Sequence, residues 1–230
     1  MSSSFTMTRA RQHDAECSPA VSVTRSLLGY GVMAGPVYVI SVLAQGLTRE
    51  GFDLTRDDAS LLSNGDLGWI QVVTFLITGA MVLAFSVGAA RARAGRWVPA
   101  LVGVYGLGLI GAGLFVADPM NGFPPGTPMG HSASVSLHGV LHIISAAVGF
   151  LSLIAACLVM ARRCAAEAQR GWATSSVLTA VLFLGGFVGV ASGSGSPLVI
   201  LGFWVGLIAA WTWLAALAVH LYREVSSGAC

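Results

Sequence analysis

The sequence predicts an all-α polytopic membrane protein, a compact bundle of six transmembrane helices with both termini cytoplasmic. Three observations carry that prediction. Of 230 residues, 55% are hydrophobic and only 10% charged, whereas a water-soluble domain carries roughly 25% charged residues. Six stretches are apolar over about 20 residues, the length a helix needs to cross a bilayer core of roughly 30 Å. All 12 basic residues are arginine, and they gather on one side of those stretches.

Taken in order, residues 1–25 are polar and serine-rich, and they read as a flexible cytoplasmic tail rather than a cleaved leader. Cys17 lacks the preceding apolar run of a lipoprotein signal. The transmembrane domain covers 26–221, with spans at 26–47, 67–90, 97–117, 138–161, 172–192 and 198–220, and 222–230 forms a short cytoplasmic end. Each span is expected to be helical, because hydrocarbon tolerates no unpaired backbone polar group. Pro36 removes an N–H inside the first span and predicts a kink there. Trp69, Trp97 and Trp172 open spans two, three and five, where aromatic rings anchor at the interface or pack into the core. In span three, GVYGLGLIGAG places Gly106, Gly108, Gly111 and Gly113 for close helix contact, and FLGGFVGVASGSGS does the same in span five.

Sidedness follows from the arginines. Arg9, Arg11, Arg25, Arg91, Arg93, Arg96, Arg162, Arg163, Arg170 and Arg223 share one side, against Arg49 and Arg56 on the other. Basic loops stay inside, which makes the chain a multi-pass membrane protein, N-in and C-in. The net charge of +2 is scattered over short loops and forms no face for nucleic acid. The four cysteines show no paired spacing, so neither a disulfide framework nor a cysteine zinc site is expected. No inverted repeat and no ionisable group near the midplane suggests a transporter.

With that topology, ionisable residues collect at the outer ends of three helices. Asp66 precedes span two, Asp118 and Pro119 end span three, and His138 and His142 begin span four one turn apart. Gln71 lies about a turn and a half below Asp66. Ionisable groups at membrane depth are costly and face a bundle interior or a wet cavity. These four residues are the candidate catalytic or polar site, with Arg49, Asp53, Trp69 and Gln71 as candidate ligand contacts. Lateral order among the helices cannot be read from one sequence.

The stretches GLTREGFD, SLLSNGDLGWIQ, GLFVADPMNGFPPGTP and LHGVLH, in this order, resemble a bacterial membrane family catalogued as domain of unknown function 998. The resemblance covers about residues 25–220 and implies a multi-helix integral membrane protein, with no activity attached. It falls on Arg49, Asp53, Asp66, Trp69, Asp118, Pro119, Pro124, His138 and His142. Glu50 departs from the pattern, where relatives more often place proline.

Several functions fit these residues. A metal-dependent hydrolase acting on a lipid would place zinc on His138 and His142, with Asp66 or Asp118 as third ligand or base and His131 as a further donor; the transmembrane ceramidase-type hydrolases are a loose analogy. A metal-free acid/base enzyme, such as an isoprenoid cyclase, would need a carboxyl kept protonated by apolar surroundings. Haem fits poorly, since His220 lies at the opposite membrane end. The leading expectation is a binding, sensing or structural protein with an outward-facing polar pocket and a lipid or isoprenoid ligand. In that reading Asp118 caps a loop, Asp66 pairs with Arg49 or Arg56, and the histidines bond backbone carbonyls.

Overall fold

Backbone that lies in hydrocarbon must satisfy itself, and the six apolar stretches do so as α-helices. The computed structural model describes residues 19–130 and 134–227. The helices are α1 (Pro19–Thr48), α2 (Gly68–Arg91), α3 (Trp97–Leu114), α4 (Leu137–Ala166), α5 (Arg170–Ala191) and α6 (Pro197–Ser227). A short 3-10 helix, Ala59–Ser63, sits in the first connection. All six α-helices are long and apolar enough to cross a membrane, and the protein is a multi-pass membrane protein. His131, Arg9, Arg11, Cys17 and Cys230 lie outside the described residues.

Helix ends depart from the sequence expectation where local chemistry overrides hydropathy. α1 starts at Pro19 rather than 26, with proline in the first turn, where its missing N–H costs nothing. That start is tied down: Arg91 donates to Thr24 at 3.0 Å, and Arg25 to the Tyr222 hydroxyl at 2.8 Å. α3 ends at Leu114, three residues early, because Phe115 turns to extended backbone. α6 runs on through 222–227 as helix. Pro36 lies within α1 without interrupting it.

Consecutive helices pack side by side, and α6 returns to α1, so the six form a closed ring in chain order. Small residues set the approach. A Cβ on Gly79 would lie 2.8 Å from the Gly106 carbonyl oxygen, and one on Gly108 would lie 2.7 Å from the Gly149 Cα. The helices touch through bare backbone at both crossings. Lipid is as apolar as leucine, so such contacts hold the ring by packing and by hydrogen bonds rather than by excluding water. Hydrogen bonds join α1 to α2, where Ser41 meets Thr74 at 2.7 Å and Gln45 donates to Gln71 at 3.0 Å. They also join α5 to α6, where Trp213 donates to Ser176 at 2.9 Å.

The ring's interior is filled by aromatic side chains. Tyr38 contacts Phe75 and Trp211, and Trp211 contacts Tyr105, with ring centroids 4.9–6.0 Å apart. Outside, Ile40, Val73, Ile77 and Val205 are exposed, as lipid-facing side chains should be.

Candidate functional site

An even number of antiparallel helices leaves the termini at one end and the first, third and fifth connections at the other, the distal end. The distal connections are built before any site is. Arg49 follows α1 and donates to the carbonyls of Leu62 and Asn64, while its guanidinium lies 4.8 Å over the Phe123 ring. Phe52 meets the same ring edge-on at 5.2 Å. The first and third connections are thereby stitched together, and the 3-10 helix is pressed into the ring with Ala59, Leu61 and Leu62 buried.

His142 lies one turn into α4, buried against Phe75. Its Nδ1 is 3.0 Å from the Ala112 carbonyl oxygen and 2.7 Å from that of Phe115. Both oxygens can only accept, so Nδ1 carries the proton and the ring caps two of the orphan carbonyls that end α3. In the neutral ring Nε2 then holds a lone pair. Asp118 caps the next helix: its carboxylate accepts from the Ser136 N–H at 2.8 Å and the Ser136 hydroxyl at 2.5 Å. Ser136 itself accepts from the Gly139 N–H as the N-cap of α4. Gly139 is required here, since a Cβ at that position would collide with the Asp118 carboxylate.

Between α4, α5 and α6, under these caps, lies a cavity of about 460 Å³. Its polar lining includes Arg56, Asp58, Ser60, Asp118, Asn121 and His142, and its apolar walls Ile143, Phe150, Phe187, Val190, Ile200 and Phe203. That volume is typical of small-ligand sites. A second, internal space of about 20 Å³, room for one water, shares Ser60, Ala146, Phe150 and Phe203 with it and reaches Tyr38 and Tyr105.

The structure separates the expected site residues. Asp118 and His142 line the cavity, as their common level suggested. His138 is exposed with its ring 6.0 Å from Phe115, outside the lining. Asp66 and Trp69 are exposed at the start of α2, and Arg49 and Arg56 bond elsewhere rather than to Asp66. Asp53 closes a local turn by accepting from Thr55. Gln71 is fully buried between α1 and α2 with its Nε2 lacking a protein partner. Among the described residues no three metal-ligating side chains gather.

Asp58 was not singled out by the sequence, being one of five acidic residues in its connection. It is the N-cap of the 3-10 helix, accepting from the Ser60 N–H at 2.8 Å. Protein surrounds it, leaving part of its surface toward the cavity. Burial pushes its carboxyl above the usual range, opposed by the Ser60 N–H and by His142 and reinforced by Asp57. A proton held more tightly by the native state stabilises it at low pH, and that contribution is lost as pH rises through the folded pKa. Asp58→Asn is therefore expected to gain stability relative to the unaltered protein as pH rises from 4.5 to 8, read from thermal midpoints in detergent. A difference that stays flat or reverses would contradict the assignment.

The family described as Protein of unknown function (DUF998) matches residues 32–220. The chain belongs to the DUF998 family. The match runs from the fourth turn of α1 into α6, so it takes in part of every helix, the distal clamp and the cavity of this DUF998 protein. No curated protein and no solved structure matches the chain.

Proposed function

We propose that this DUF998 protein binds an amphiphile taken from the surrounding bilayer, without turnover, in a bacterial cell membrane with both termini cytoplasmic. One observation carries the reading: a cavity of about 460 Å³ has apolar walls among lipid-facing helices and polar groups at its distal end only. A lipid or isoprenoid chain suits the walls, and its head suits Asp58 and His142. The orientation is supported by the arginines. Arg25, Arg91, Arg93, Arg96, Arg162, Arg163, Arg170 and Arg223 lie at the terminal end, against Arg49 and Arg56 at the distal end.

The test is photo-crosslinking in nanodiscs with a diazirine-bearing long-chain amphiphile, read by peptide mass spectrometry. Adducts should concentrate on Ile143–Phe150 and Phe187–Phe203 and be competed by unlabelled amphiphile. Adducts spread evenly over lipid-facing residues such as Ile40 and Val205 would reject the reading.

A second reading, acid/base chemistry on a lipid or isoprenoid, is favoured by the Asp58–His142 pair. A buried carboxyl and an imidazole with a lone pair on Nε2 can give and take a proton in one pocket. Conversion of the bound amphiphile, lost in His142→Ala, would replace binding by catalysis.

A further inference from the structure

We propose that the cavity, granting the binding reading above, selects an amphiphile whose head is an uncharged hydroxyl and rejects a phosphate or an amine. The inference rests on what each polar group at the cavity's distal end already bonds. Among the described lining residues the one cation is Arg56. Its Nε and Nη2 face both oxygens of the fully buried Asp57 at 3.0 and 2.8 Å, and Nη2 also reaches the Gly51 carbonyl at 2.7 Å. A phosphate head would have to break that pair and leave Asp57 buried and alone, a costly exchange. It would also lie beside Asp118, adding repulsion.

An ammonium head meets the opposite difficulty. Both Asp118 oxygens are taken up by Ser136 in the cap of α4. Asp58 has one oxygen on the Ser60 N–H, and burial disfavours its charged form. Among the described lining residues every carboxylate already accepts a hydrogen bond from the protein.

What remains is a pair of complementary groups. His142, fixed by its Nδ1–H on the end of α3, offers the Nε2 lone pair as an acceptor. Asp58 in its protonated form offers an O–H. A hydroxyl is the smallest head that both donates and accepts, so one alcohol group can bond His142 and Asp58 together while its chain follows Phe150, Phe187 and Phe203.

The experiment compares three photoactivatable probes of one chain length, a long-chain alcohol, its monophosphate and the matching amine, on the unaltered protein in nanodiscs. Because both charged heads are desolvated without a partner, the alcohol should label the cavity peptides about tenfold more than either. His142→Ala, which removes the acceptor, should lose most of the labelling. Phosphate or amine labelling equal to the alcohol's would overturn the inference and leave the binding reading standing. If no probe prefers the cavity to the lipid-facing exterior, the binding reading itself falls. The probe comparison uses no variant, so a failure of His142→Ala to fold does not affect it.

Discussion

Gly108→Val is expected to be among the most damaging single changes to this DUF998 protein. A Cβ at Gly108 would lie 2.7 Å from both the Gly149 Cα and the Ser145 carbonyl oxygen. These are backbone atoms and cannot rotate away, so α3 and α4 must separate. Overpacking costs about 1–3 kcal/mol where side chains can adjust, and a backbone-to-backbone crossing should reach or exceed the top of that range. The separation would also lift the α3 carbonyls off His142, so the loss of stability and of cavity labelling should appear together. Gly185→Val is the control, because nothing lies within 4 Å of a Cβ there. Thermal unfolding in detergent separates the two; equal midpoints would show that the α3–α4 approach is not what holds the ring.

Arg49→Ala is the second large effect. It removes two hydrogen bonds to backbone carbonyls and the stacking on Phe123. Hydrogen bonds to a charged group contribute roughly 1.5–3 kcal/mol, and the partial exposure of Arg49 brings the expected total to about 2–4 kcal/mol. Arg49→Lys should recover less than half, since an ammonium is a point donor and cannot span two carbonyls while stacking on a ring. Proteolysis within 115–135 should accelerate in both variants. Asp66→Ala, by contrast, should stay within about 0.5 kcal/mol, as an exposed side chain away from these bonds does. An Asp66→Ala loss matching that of Arg49→Ala would restore the pairing that the sequence suggested and the geometry does not contain.

The fold was legible because hydrocarbon leaves the backbone little choice: six apolar stretches had to be six helices, and only their ends moved. Ends are decided by particular partners, such as Arg91 reaching Thr24 or Phe115 breaking helical geometry, and hydropathy does not register these. The site was legible in part. Asp118 and His142 could be placed at one level from topology alone, and both reach the cavity. His138, one turn from His142, does not, because helix rotation decides which side chains face inward and a single sequence does not report it. Asp58 was hidden for a different reason: in TRDDAS nothing distinguishes the aspartate that turns inward from its neighbours until the 3-10 helix is seated. Arg49 belongs to the machinery that fixes the loops, which a sequence motif cannot tell from a ligand contact.

The seating of Ala59, Leu61 and Leu62 has a consequence for how the molecule can be used. The first connection is a stopper driven into the mouth of the cylinder, with Arg49 as its catch. Among the described residues a stoppered cylinder leaves no passage along its axis, and the larger space lies to one side, between α4, α5 and α6. Below the stopper the axis is filled again, by Tyr38, Phe75, Tyr105 and Trp211, so releasing the catch would loosen the mouth without opening a channel.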